Sequence, residues 1–565
     1  MKLLFRSYLA SLREREELDA ILPDLLSELG YTVYSRPQRG TAQAGVDIAA
    51  VGDDDGERKV FLFSVKQGDL TRQSWNDGTP QGLHPSLDEI LDNYIPHRIP
   101  KRYQELKVVI CMVFGGDVQE QVRSTVNGYI KRNSTDKISF DEWNGDKLAG
   151  LLLQGILREE IMPKALRSHF QKAVALVDEP EIAYQHFARL VYELCKGAND
   201  DKARVRVARQ LYIALWVLFV WARDVENVEA PYRASELVLL NTWNLLRPYV
   251  GRKSNATSKA IIAVLHYAVQ LYIAIASELL ERKILPHVRT RDGISMAVRA
   301  GSSVDVNLKL FDVLGRISLT GLWVQWLIKQ DPDAKRSAAA RNQVARLTTM
   351  AYQLIDNNRA LFLPLQDQQA IDIALFLVLV GSLNGNRNDA RAWLNMMVER
   401  LALTVRTHGR YPCVFSEYRD LVAHPREQTE EYRKEATSGS ILIPLLAAFL
   451  SALNNQEALE QLVALKAKEL EHCTLQLWIP DKSSEDGIYV GSHDHGIALC
   501  DLPISATGNE LLKTVRDACN ESKDFERLSA IVTGFWPMIL TACRHYRFPI
   551  PPQFWINMVD PSPGS

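Results

Sequence analysis

Apolar residues at Leu18, Ile21, Leu22, Leu25, Leu26 and Leu29 recur at the i, i+3, i+4, i+7 spacing of one helix face, and Gly30 follows as a C-terminal cap. Pro23 falls inside this stretch and predicts a kink. The pattern then changes period. Residues 31–35 (YTVYS) read as a short strand, and 45–51 (GVDIAAV) and 59–65 (KVFLFSV) read as two strands of a hairpin joined by the polar stretch 52–56. Residues 106–114 (LKVVICMVF) predict another strand, 118–129 a helix and 137–140 (KISF) a further strand. A helix, a hairpin, and strands alternating with helices predict a small α/β domain.

From about residue 163 the strand signal nearly vanishes. Long apolar or amphipathic segments at 205–225, 258–280, 306–328, 338–355, 369–383, 390–405, 441–453, 459–470 and 525–543 predict helices. No fixed-period repeat is present, so an all-α, irregular, solenoid-like stack is expected over residues 161–565, after an α/β domain over 1–160. One interruption, from residues 474–479 (TLQLWI) through a polar stretch to Leu502, reads as a small hairpin or loop.

Composition narrows the classes. The 565 residues are 47% hydrophobic and 24% charged, within the range of folded globular chains. A formal charge of −2 leaves no global basic excess for nucleic acid, and residues 1–150 alone are net −4. Seven scattered cysteines with no CxxC pair argue against a disulfide framework or a thiolate zinc site, so a reducing compartment is expected. The first residues lack the pattern of a secretory signal, and the runs 211–222 and 441–453 are shorter than the roughly 18 to 20 residues of a bilayer span. A cytoplasmic protein with no membrane association is the expectation.

Asp47 opens one strand of the hairpin, and Lys66 ends its neighbour nineteen residues later, room for two strands and a turn. Acid and base then meet at one end of the hairpin. A carboxylate there can hold Mg²⁺, with water and phosphate oxygens completing the shell, while a lysine orients the attacking water: the chemistry of phosphodiester hydrolysis. An ordinary cross-strand ion pair is the competing reading of the same two residues.

The helix ending in Gly30-Tyr31, then Gly45-Val46-Asp47-Ile48, then Ser64-Val65-Lys66, resembles the Mrr-like branch of the PD-(D/E)XK nuclease superfamily. The resemblance covers only the N-terminal domain. It implies a restriction-endonuclease-like fold, a mixed sheet flanked by helices, with Asp19 as the helix acid, Asp47 as the central metal-binding acid and Lys66 as the catalytic lysine. It further implies a Mg²⁺-dependent DNA endonuclease, with Mn²⁺ able to substitute, serving as effector of a bacterial anti-phage or restriction system. Ser64 departs from the family's Glu or Gln. Either water or the Val65 carbonyl supplies the missing metal oxygen, or activity is reduced or lost. A degenerate, non-cleaving scaffold and an RNA nuclease are the alternatives.

Beyond the lysine, Arg72, Gln73 and Trp75 are candidate contacts to the substrate backbone, or a surface loop with one buried tryptophan. His97, Arg98, Lys101 and Arg102 form a local basic cluster. Because the N-terminal domain is net acidic, DNA binding is expected to need a homo-oligomer or help from the helical region, which is also where a partner protein would bind. The HxH at His493 and His495, with Cys500 nearby, reads as a polar loop rather than a zinc site.

Overall fold

The computed structural model describes residues 18–36, 44–54, 56–79, 82–155, 164–298, 300–330, 334–383, 387–500 and 502–559. The chain divides into two compact units, 1–234 and 235–565. The α/β part anticipated over 1–160 lies within the first, followed there by helices.

A five-stranded mixed sheet organises the first unit. β1 (Thr32–Ser35), β2 (Ile48–Asp54), β3 (Glu57–Lys66), β4 (Val108–Phe114) and β5 (Ile138–Trp143) lie in that spatial order. β1, β2 and β3 are antiparallel neighbours, whereas β4 and β5 run parallel to β3. Helix α1 (Asp19–Glu28) precedes the sheet, α2 (Leu83–Glu89) follows β3, α3 (Glu120–Asn133) links β4 to β5, and α4 (Gly145–Gly155) follows β5. Gly30 closes α1 with φ +91°, and Pro23 is accommodated inside it. The hairpin is tighter than the sequence pattern predicts. Strand pairing continues to Asp54 opposite Glu57, because the polar residues at 52–54 still pair and the Tyr31 ring lies against Gly52 where a side chain would stand.

Side chains alternate across a strand, so β3 sends Val60 and Leu62 to one face and Phe61, Phe63 and Val65 to the other. The first face is a continuous core with Val108, Ile110, Met112, Leu83, Leu87, Val122, Val126 and Tyr129. On the second, Phe61 meets Tyr31 and Phe63 meets Trp143, each edge to face at 5.0 Å. Gly45, at φ +76°, passes so close to α2 that a Cβ would stand 2.0 Å from the Ser86 carbonyl oxygen. Only glycine permits that approach, and it fixes where Asp47 enters the sheet.

The second unit is largely helical, but it is not an open stack. Trp323 donates to the Thr541 hydroxyl across 218 residues, and Trp243 donates to Ser529 across 286. In a solenoid each layer touches only its neighbours, so these contacts correct the solenoid expectation: the helices close around the buried helix Ser303–Gln330. Arg544, Glu236, Asp312 and Arg316 add a buried ionic cluster between helices distant in sequence. Asp312 also meets Lys309 and Glu236 also meets His545, so neither carboxylate depends on Arg544 alone. The single helix expected over 525–543 is instead three pieces, since Gly534 turns at φ +77° and Pro537 starts Pro537–Tyr546. The interruption at 474–500 is a hairpin, with Thr474–Ile479 pairing antiparallel to Ile497–Cys500. Among the described residues, two helical stretches, Asp201–Asp224 and Ala256–Val288, are long and apolar enough to cross a membrane by length and composition. The first is mostly buried.

Asp367 caps the start of Leu442–Ala452, accepting from the Ser440 hydroxyl and from the Ile441 amide at 2.7 Å. Burial pushes its carboxyl up to about 6 despite these donors. An unfolded aspartate releases its proton near pH 3.9. Between about pH 4 and 6 the folded state therefore holds the extra proton, and this group's contribution to stability falls as pH rises through that window. Asp367→Asn removes the titration, so the variant's thermal midpoint relative to wild type should climb from pH 4 to pH 6. A constant difference across that range would refute the assignment.

Candidate active site

Asp47 sits just before β2, where the backbone ladder to β3 ends. Its amide donates to the Phe63 carbonyl at 2.9 Å, and its Oδ2 accepts from the Val65 amide at 2.8 Å. The carboxylate thus continues the β2–β3 pairing with a side chain in place of backbone, fastened to the peptide that joins Ser64 to Val65. One oxygen is committed to that bond.

Ser64 and Lys66 alternate with Val65, so both project to the face that holds Val60 and Leu62. Ser64 is 1% exposed, and its hydroxyl is a buried polar atom with no hydrogen-bond partner. Such a buried orphan calls for a ligand or a water. Lys66 is 9% exposed, at the carboxyl end of β3. Asp47 is half-buried, and Gln67 and Asp69 beyond it are exposed, so the approach to the lysine runs along this rim. The oxygens available here are a carboxylate, a hydroxyl and the carbonyl of Val65, hard donors that suit Mg²⁺ or Mn²⁺ rather than a thiophilic metal. Asp19 opens α1, and its side chain lies outside the described residues.

The segment after Lys66 is tied back to the sheet. Gly116 donates to the Gly68 carbonyl, Leu70 donates to Asp117, and Asp69 Oδ1 accepts from the Asp117 amide at 2.9 Å. The helical turn Arg72–Trp75 follows, capped by reciprocal bonds between Thr71 and Ser74. Arg72 and Gln73 are exposed on it. Trp75 is not available to a substrate: it is 5% exposed and packs in the core against His84 and Tyr129. Hydrophobic burial of the indole anchors the turn and leaves its two polar neighbours outside.

Asp77 was not singled out by the sequence pattern. Its carboxyl is held below the usual range by the Thr79 hydroxyl and amide, with the Lys66 charge adding to the effect, which makes Asp77 an exposed acid within electrostatic range of the lysine. The turn-like Asn76-Asp77-Gly78 gives only a loop signal, so nothing in the sequence ties it to residue 66. His97, Arg98, Lys101 and Arg102 are exposed. In the second unit, His495 bonds Ser484 at 3.1 Å and packs on Trp478 and Phe548, as a polar loop does. Compared with family models, with curated proteins and with solved structures, the chain matches none.

The Asp47–Val65 bond separates two substitutions. Asp47→Ala leaves the Val65 amide without its acceptor and should destabilise the first unit by about 1–3 kcal/mol. Asp47→Asn keeps an oxygen on that amide and should cost under about half as much. Chemical denaturation of both variants checks this, and equal losses would mean the hydrogen bond carries none of the effect.

Proposed function

We propose that the N-terminal domain is a Mg²⁺-dependent DNA endonuclease of the PD-(D/E)XK superfamily, Mrr-like branch, acting as effector of a bacterial anti-phage or restriction system. The observation that carries this reading is the Asp47 carboxylate bonded to the Ser64–Val65 peptide, with Lys66 one residue further along the same strand. The orphaned Ser64 hydroxyl supports an oxygen-liganded cation beside it.

Asp47, Asp19, the Val65 carbonyl and Ser64 would hold Mg²⁺, or Mn²⁺ in its place. When bound, the cation supplies Lewis acidity toward the phosphate and the leaving 3′ oxygen. Lys66 orients the attacking water and offsets the negative charge that builds on the phosphoryl oxygens. Arg72 and Gln73 hold the substrate backbone from the exposed turn, without reading sequence. With a net charge of −4 over residues 1–150, affinity for DNA has to draw on a second subunit or on the helical region. That region is accordingly the sensor, partner-binding or assembly part of a cytoplasmic protein.

A second reading rests on a specific feature: Lys66 and Ser64 are nearly covered, and a serine stands where the family has Glu or Gln. On that reading the domain is a non-cleaving scaffold that binds nucleic acid or a partner protein.

Incubating the full chain with plasmid, single-stranded DNA and RNA in Mg²⁺ or Mn²⁺ separates these outcomes. DNA cleavage is expected, reduced at least about 100-fold in both Lys66→Ala and Asp47→Asn. Cleavage of RNA alone would reassign the substrate. Nucleic-acid binding with no cleavage in either metal would leave the scaffold.

A further inference from the structure

Helices α5 (Lys164–Ala175) and α6 (Pro180–Lys196) pack against each other across the short connection 176–179. Phe170, Ala173, Ala183 and Phe187 are buried on these helices and fix the two backbones. A histidine pair lies between them. His169 Nδ1 and His186 Nδ1 are 3.2 Å apart, with ring centroids at 5.4 Å and planes inclined by 40°.

That separation has two physical explanations. A hydrogen bond between one neutral imidazole N–H and the other ring nitrogen is the simpler, at a distance toward the long end of the usual range. The other is coordination. Two nitrogens each about 2.05 Å from a tetrahedral ion stand about 3.3 Å apart, close to the 3.2 Å between these two Nδ1 atoms. The Lys172 ammonium lies within electrostatic range of His186. Both rings are only partly buried, so water reaches them. No third His, Cys, Asp or Glu joins them among the described residues; water would fill the remaining positions, and the nearby Lys172 limits affinity.

We propose that His169 and His186 form a two-histidine site for a divalent transition metal of the zinc class, which staples α5 to α6. Imidazole nitrogens select such ions over Mg²⁺, so the site is chemically distinct from the oxygen donors around Asp47 and does not depend on the nuclease reading.

The test uses the full chain carrying Asp47→Asn, so that the nuclease site contributes little. Titration at pH 7.5 with Co²⁺ should give the visible absorption of tetrahedral cobalt, which Zn²⁺ then displaces. Zn²⁺ at about 100 μM should raise the thermal midpoint by about 2 °C or more. Both responses should vanish in His169→Gln and in His186→Gln, whose far-ultraviolet circular dichroism without metal should match the parent. Absence of a cobalt band in the parent overturns the site whatever the variants do. So does a band that persists in both well-folded variants, which would place the metal elsewhere.

Discussion

The hydrogen bond from the Val65 amide to Asp47 Oδ2 is the contact on which the proposed site depends. It lies where the β2–β3 ladder runs out, so a carboxylate takes over a role that backbone plays elsewhere in the sheet. Two consequences follow. The carboxylate is held in place by a rigid strand rather than by a loop, which is what a preorganised charged site needs. It is also held beside Ser64 and Lys66, because strand alternation puts those two on one face with a single residue between them. Gly45 completes the constraint: the chain can enter β2 at this point only because no side chain stands between it and α2.

Much of this was legible in the sequence, for identifiable reasons. The strands at 57–66 and 108–114 carry near-continuous apolar runs rich in branched and aromatic residues, buried on both faces, and polar residues bound them. Helix α1 carried its own end signal in Gly30. The site was legible as a motif, since Asp47 and Lys66 bracket a hairpin of determinate length. Its exposure was not, because covering depends on where α2 and the Arg72–Trp75 turn pack, and that packing joins residues distant along the chain. Trp75 shows the limit clearly: beside Arg72 and Gln73 it looks like a contact residue, yet the hydrophobic effect draws it under the turn. Asp77 is the converse, a loop residue brought near Lys66 by that same anchored turn.

The helical unit failed a different expectation. Amphipathic period identifies helices but says nothing about which of them touch, so a run of them without repeats reads as a stack. Beside apolar packing, polar contacts close the unit: tryptophan indoles on hydroxyls, and the Arg544 guanidinium between Glu236 and Asp312, all linking segments hundreds of residues apart. Buried charges add little net stability over apolar packing, but once present they are costly to leave unpaired. They therefore penalise alternative arrangements of similar helices more than they strengthen this one.

The proposed site stands or falls on whether the Asp47 carboxylate binds a divalent cation. Titrating the full chain with Mn²⁺ and following the loss of the free-ion paramagnetic resonance signal tests it without requiring substrate, trigger or partner. Saturable Mn²⁺ binding is expected, which Mg²⁺ competes away and Asp47→Asn weakens at least about tenfold, about 1.4 kcal/mol. Mn²⁺ binding of equal strength in wild type and Asp47→Asn, or none in either, would contradict it.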